Sequence, residues 1–196
     1  MQRTTTSAFI LLSLLSATAR GDGPRIGIEI EREKDRNRRV ASHGVTLQPG
    51  WQFAEGSAID RVELLIEKSI DRRADASGDR EHESKLFLRL RHSGKLGKSL
   101  TYYVRGGVGR SFGSDGTFSN AYIEPGLKHE LGRRWEWTLG LREINAIDGT
   151  PGEHVHRLST GPSLNFGRHH EVELRYGHTW GDKRLRAVSL QYIRKF

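Results

Sequence analysis

The sequence predicts an all-β protein: a transmembrane, antiparallel, up-and-down barrel of about ten strands, with eight or twelve as the alternatives. Three observations lead there. Apolar and polar residues alternate with a period of two along nearly the whole chain, from Ile26 to Phe196. The connections between alternating segments are tight at one end of the strands and mostly longer, charged or glycine-rich at the other. The aromatic residues gather near strand ends. A barrel strand turns only every second side chain to lipid, so a membrane wall of this kind keeps a polar average composition. The mean hydropathy of −0.63 is compatible with that wall.

Taken in order, Ile26, Ile28 and Ile30 alternate with Gly27, Glu29 and Glu31 and predict the first strand. The second runs from Val45 through Leu47, Pro49 and Trp51 to Phe53, with Gly44, Thr46, Gln48, Gly50 and Gln52 on its other face. The third sets Val62, Leu64 and Ile66 against Arg61, Glu63 and Glu67, with Leu65 breaking the polar face. Leu86, Leu88 and Leu90 against Lys85, Phe87, Arg89 and Arg91 make the fourth, and Tyr102, Val104, Gly106 and Val108 against Tyr103, Arg105 and Gly107 the fifth. The sixth holds Ala121, Ile123, Pro125, Leu127 and Leu131 opposite Tyr122, Glu124, Gly126, Lys128 and Glu130. Trp135, Trp137, Leu139 and Leu141 face away from Glu136, Thr138, Gly140 and Arg142 in the seventh. Leu158, Pro162, Leu164 and Phe166 define the eighth with Arg157 and Ser163, and Val172, Leu174 and Tyr176 the ninth with Glu171, Glu173 and Arg175. The tenth closes the chain with Val188, Leu190, Tyr192 and Phe196 on one face and Ser189, Gln191 and Lys195 on the other. Such segments are near the length that crosses a bilayer on a tilt. Pro49, Pro125 and Pro162 remove ladder donors and predict bulges or bends.

Ala54–Ser57, Ser93–Lys98, Gly132–Arg134 and Gly167–His169 form the tight set of connections. The other set comprises Lys34–Arg39, Asp71–Glu83, Ser111–Thr117, Ala146–Glu153 and Gly181–Lys183. Trp51, Phe53, Tyr102, Trp135, Trp137, Phe166, Tyr192 and Phe196 fall at the tight-turn end, while Phe112, Phe118, Tyr176 and Trp180 fall at or near the other. Two aromatic girdles at two membrane interfaces are the physical counterpart of that sorting; a soluble β-sandwich has no reason to adopt it.

Residues 1–19 read as a signal peptide: Arg3 precedes the apolar stretch Ala8–Leu15, and Ala17-Thr18-Ala19 offers a small-residue cleavage site. Residues 20–196 are then one exported domain. The chain has no cysteine, so neither disulfides nor thiol chemistry stabilise it. Its net charge of +8 fits attraction to anionic surfaces such as lipopolysaccharide phosphates, and export argues against nucleic acid as a partner. Arg36, Arg38, Arg39, Arg72, Arg73, Lys183 and Arg184 are the candidate phosphate-pairing residues.

The polar faces supply the candidate site. Turned into a lumen they bring Arg61, Lys85, Arg89, Arg91, Arg105, Lys128, Arg142, Arg157 and Arg175 together with Glu29, Glu31, Glu63, Glu67, Glu124, Glu130, Glu136, Glu171 and Glu173. Charges in a narrow barrel must be paired or wet. Two arrangements satisfy this: a salt-bridged filling that blocks the lumen, giving a structural or surface-interaction barrel, and a narrow channel for small solutes.

The strand Val188–Phe196, with its alternation and terminal phenylalanine, resembles the closing strand of bacterial outer-membrane β-barrels. That resemblance implies an outer-membrane location in a Gram-negative bacterium, both termini in the periplasm, contact with outer-membrane lipid, and engagement of Val188–Phe196 by the barrel-insertion machinery. Over the mature chain the architecture is similar to that of the small monomeric porins specific for oligogalacturonate. This implies passive passage of acidic oligosaccharides or other small anionic solutes past an arginine-rich lumen, with no cofactor and no catalysis. Those porins have twelve strands, against about ten here. A third reading is a hydrolase at the outer rim, acting on lipid A or peptide, with Asp148, His154, His156 and Ser159 as its candidates. His154 and His156 share one strand face, as a metal or an acid–base pair requires, whereas His156 and Ser159 are spaced for opposite faces.

Overall fold

The computed structural model describes residues 23–35, 41–54, 57–72, 80–113, 116–149 and 154–196. The predicted signal peptide and Arg36, Arg38, Arg39 and Arg73 lie outside them. Ten strands run β1 (Gly23–Asp35), β2 (Ala41–Gln52), β3 (Arg61–Arg72), β4 (Arg80–Lys95), β5 (Leu100–Gly113), β6 (Gly116–Glu130), β7 (Trp135–Ala146), β8 (Val155–Phe166), β9 (His170–Gly181) and β10 (Leu185–Lys195). Each pairs antiparallel with its neighbours in sequence, and β1 pairs with β10, so the sheet closes into an up-and-down barrel. Closure removes both sheet edges, and an even strand number leaves the two ends of the chain at the same end of the barrel. Phe196 N–H donates to Pro24 O at 3.0 Å there.

The alternation read from the sequence becomes an inside and an outside. Ile26, Ile28 and Ile30 face outward, as do Leu64, Ile66, Leu86, Leu88, Ile123, Leu139, Leu141, Leu174, Val188 and Leu190, all of them exposed. The residues between them face inward, and the buried set is mainly polar, from Arg25 and Gln48 to Glu173 and Gln191. Water would not tolerate so continuous an exterior of Leu, Ile and Val, and an oily solvent would not tolerate the interior turned out. The strands are long enough to span a bilayer on a tilt. Trp51, Phe53, Trp135, Trp137, Tyr192 and Phe196 ring the end that carries the termini. Phe112, Tyr176 and Trp180 face outward toward the other end. Phe118 departs from the expected girdle: it is opposite the buried, inward Ser111 and shares its face.

The expected connections are corrected in two respects. The segment 111–117 is not a loop: β5 and β6 continue to Gly113 and Gly116, which pair across a two-residue connection with Gly116 at φ +115°. Glycine at such a φ supports a hairpin turn that other residues resist. The difference between the two ends is also milder than expected, because residues 53–60 form a connection at the terminus-bearing end as long as residues 147–154 opposite. Phe53 N–H to Asp60 O (2.9 Å) and Asp60 N–H to Arg91 O (2.9 Å) hold that connection.

The prolines do not create bulges. Around Pro49 the β2–β3 ladder lapses between the Leu47–Ile66 and Gly50–Glu63 pairs, then resumes in the same register. The β6–β7 ladder does the same around Pro125, and the β8–β9 ladder around Pro162. A missing N–H opens a gap on one side without inserting a residue. Each proline adjoins a glycine that the next strand approaches closely: a side chain on Gly50 would meet Val62 O, on Gly126 Leu139 O, and on Gly161 Leu174 O. Gly161→Val should therefore lower unfolding stability by about 1–3 kcal/mol, the usual cost of overpacking, measured by denaturant titration of the barrel in lipid vesicles.

Candidate functional site

The lumen is built from inward side chains of all ten strands. In the half nearer the termini, Glu63 takes Arg89 Nε at 2.8 Å and lies 3.3 Å from Arg25 Nε, while Arg89 Nη2 also donates to Gln48 Oε1 at 2.9 Å. Gln48 is a junction between strands: its Nε2 donates to Glu29 at 2.8 Å and its Oε1 accepts Gln191 Nε2 at 2.6 Å. Asp60, at the end of the β2–β3 connection, receives Arg91 in a two-pronged bond of 3.1 and 3.3 Å, and Ser93 donates to the same carboxylate. Arg61 lies buried in this region, and its Nε and the Arg25 Nη1 have no hydrogen-bond acceptor. The Arg25 Nε contact with Glu63 is an ion pair by distance but misses hydrogen-bond geometry.

Glu124 on β6 is the second centre. One oxygen accepts Arg142 at 2.6 and 2.7 Å; the other accepts Arg105 Nη1 at 3.2 Å and the Tyr103 hydroxyl at 3.2 Å. The guanidinium carbon of Arg105 lies 4.5 Å from the Tyr103 ring centroid, and that of Arg142 4.7 Å from the Tyr122 centroid. Planar, delocalised guanidinium suits this mixture of carboxylate and aromatic partners better than an ammonium does. On β9, Arg175 and Glu173 meet side-on with two bonds of 2.8 Å. Lys128 reaches Glu136 at 3.0 Å and Glu171 at 3.7 Å, and Lys195 reaches Glu171 at 3.0 Å.

Toward the other end the balance tips to acid. Arg157 pairs with Glu31 and with Glu33 (3.2 Å), and Lys85 bridges Glu67 (3.2 Å) and Glu83 (3.1 Å). These six side chains are partly exposed, so this mouth is wet. The middle is not. Gln48 and Glu124 are 1% exposed, Arg25, Glu63 and Glu173 2%, and Ser163 0%. An inward side chain from each of the ten strands is buried: Arg25, Gln48, Glu63, Arg89, Arg105, Glu124, Thr138, Ser163, Glu173 and Gln191.

Each candidate taken from the sequence therefore has a definite place. Arg61, Glu63, Arg89 and Arg91 gather in one cluster, Arg105, Glu124 and Arg142 in another, and Arg175 with Glu173 in a third. Lys128, Glu136 and Glu171 stand toward the terminus-bearing end, and Lys85, Glu67 and Arg157 at the opposite mouth. Glu130 sits exposed at the tip of β6, opposite Glu136 in the β6–β7 ladder and outside these ion-pair clusters. Arg25 and Asp60 escape the sequence reading, and Gln48, Tyr103 and Gln191, though on its polar strand faces, are not among its lumen candidates. Arg25 precedes the first clear alternation, Asp60 lies in a connection, and neutral Gln and Tyr give no charge signal.

The rim residues do not assemble a nucleophile and base. His156 faces outward, whereas Ser159 faces inward and its hydroxyl lies 3.5 Å from Gly140 O. The Asp148 carboxylate accepts the Ser119 N–H at 2.6 Å.

Comparison with solved structures bears on the fold. An outer-membrane channel from Pseudomonas putida F1 matches with a TM-score of 0.59 at 10% identity, covering 93% of this chain and 98% of that one. The translocator domain of the autotransporter NalP from Neisseria meningitidis matches with a TM-score of 0.53 at 11% identity, covering 97% and 95%. The fold is that of outer-membrane β-barrels. The KdgM porin, solved in complex with disordered oligogalacturonate, is less alike, with a TM-score of 0.47 at 9% identity over 88% of this chain and 99% of that one. That likeness transfers no sugar specificity. No family model matches the chain, and no curated protein does.

Proposed function

We propose that this chain is a porin-like barrel of the Gram-negative outer membrane, with both termini in the periplasm, whose passage is limited to small ions and solutes by a salt-bridged constriction. The observation that supports this most is the buried ring of inward side chains between two partly exposed ends. An open channel wide enough for a sugar chain would leave those residues wet. The acid-rich outer mouth formed by Glu31, Glu33, Glu67 and Glu83 also repels anionic chains arriving from outside, so the acidic-oligosaccharide reading is left resting on the family resemblance alone. No catalysis and no cofactor are part of this reading. Val188–Phe196 is the segment offered to the insertion machinery, and the outward cations Arg32, Lys34 and Arg186 are suited to lipopolysaccharide phosphates.

The second reading is a barrel that conducts nothing and serves through its surface. The same burial favours it, and conductance separates the two. In planar bilayers the wild type should give small, discrete current steps that oligogalacturonate does not block. The Glu63→Ala/Arg89→Ala variant, which removes a paired carboxylate and guanidinium together, should give larger ones. A silent wild type beside a conducting variant would establish the second reading and end the first.

A further inference from the structure

Outside the lumen, one cluster of side chains has metal-binding chemistry. Glu143 on β7 and His156 on β8 are direct cross-strand partners, and His154 lies two residues before His156 on the same outward face. The two imidazole Nε2 atoms are 3.2 Å apart, and His154 Nε2 is 3.9 Å from Glu143 Oε1. One ligand atom from each of the three residues falls within 4.8 Å of the others, and no other such group occurs among the described residues.

We propose that Glu143, His154 and His156 bind one divalent transition metal of the zinc class on the outer face of the barrel, at the root of the β7–β8 connection. The edge of a tetrahedral zinc site with Zn–N bonds of ~2.0–2.1 Å is about 3.3 Å, close to the separation of the two nitrogens. The carboxylate needs a shift of about an ångström, which a half-buried glutamate makes by a rotamer adjustment. Two imidazoles and one carboxylate are a borderline-soft set that excludes magnesium and calcium as natural occupants, and the fourth position opens to water.

The surroundings hold the ligands in place. Asp182 clasps the main chain of His154, accepting its N–H at 2.9 Å and donating its own N–H to its carbonyl at 3.1 Å. The His156 ring stacks on Trp180 with centroids 5.7 Å apart, and Trp180 in turn stacks on His178. His156 is thus fixed on one side by an indole and on the other by its neighbour imidazole. A metal here ties β7 to β8 where they emerge toward the connection 147–154, independently of whether the lumen conducts.

The test is a calorimetric titration of Zn2+ into the full-length barrel in zwitterionic detergent and metal-free buffer. One site per chain is expected. Affinity should fall at least about tenfold in Glu143→Gln, since losing even a group that only supports a ligand costs 10–100-fold. Binding should vanish in His154→Ala/His156→Ala and persist in His169→Ala/His170→Ala, whose histidines lie at the opposite end. All these positions are exposed or half-buried, and tryptophan emission checks that each variant keeps its barrel. The proposal fails if wild type and His154→Ala/His156→Ala bind Zn2+ equally, or if the His169/His170 variant loses the site instead.

Discussion

Replacing Glu124 by leucine should destabilise the barrel by about 3–5 kcal/mol, the largest effect expected of any single lumen substitution. Glu124 is buried, and each of its oxygens is engaged: one by Arg142, the other by Arg105 and Tyr103. Deleting it leaves Arg105, itself buried beside Tyr103 and near the cations Arg175 and Arg89, without its carboxylate partner. The penalty is that of an orphaned charge rather than the net worth of a salt bridge. Two controls follow. Glu124→Gln keeps an acceptor oxygen and should lose less. The double variant Glu124→Leu/Arg105→Leu should regain part of the loss, because both members of the broken pair are gone. The measurement is urea unfolding in lipid vesicles followed by tryptophan emission; equal stability of Glu124→Leu and wild type would mean that water fills the lumen and solvates its charges.

Leu88→Arg tests the other side of the wall. Leu88 is near the middle of β4 and exposed on the outer face. Arginine at the middle of the hydrocarbon should cost about 2–4 kcal/mol, falling toward zero near the interface. Leu96→Arg, in the β4–β5 turn, is the matched control and should be nearly neutral. A water-soluble protein would treat both as surface changes within about ±0.5 kcal/mol. The difference between the two variants therefore reads out immersion in lipid directly, without any transport assay.

The sequence made one level of this structure plain and hid another. The side of the wall on which each residue stands follows from parity alone, which sends Leu86, Leu88 and Leu90 outward and Lys85, Arg89 and Arg91 inward. Who meets whom inside could not be read this way. Arg157 binds Glu31 and Glu33, more than 120 residues earlier, because closure brings β8 near β1 across a lumen whose stagger no linear pattern encodes. Gln48 holds Glu29, Arg89 and Gln191 together, yet by composition it looks like any polar strand residue. Strand ends were also underestimated. The clear alternation of β7 ends at Arg142, so Glu143, one step on and facing out, carries no linear signal that sets it beside His154 and His156. Proline suggested a bulge because it breaks a ladder; the structure keeps the register because a neighbouring glycine lets the next strand close in.

The β1–β10 seam has a consequence for biogenesis. Eleven residue pairs, from Arg25–Lys195 to Asp35–Leu185, join the first strand to the last. The cylinder is finished only when β10 pairs with β1, so the wall cannot be completed progressively from its leading strand. Until that last stitch, two raw margins and a row of naked guanidinium and carboxylate groups stand open together, so loss of the whole of β10 would unmake the cylinder rather than trim one stave.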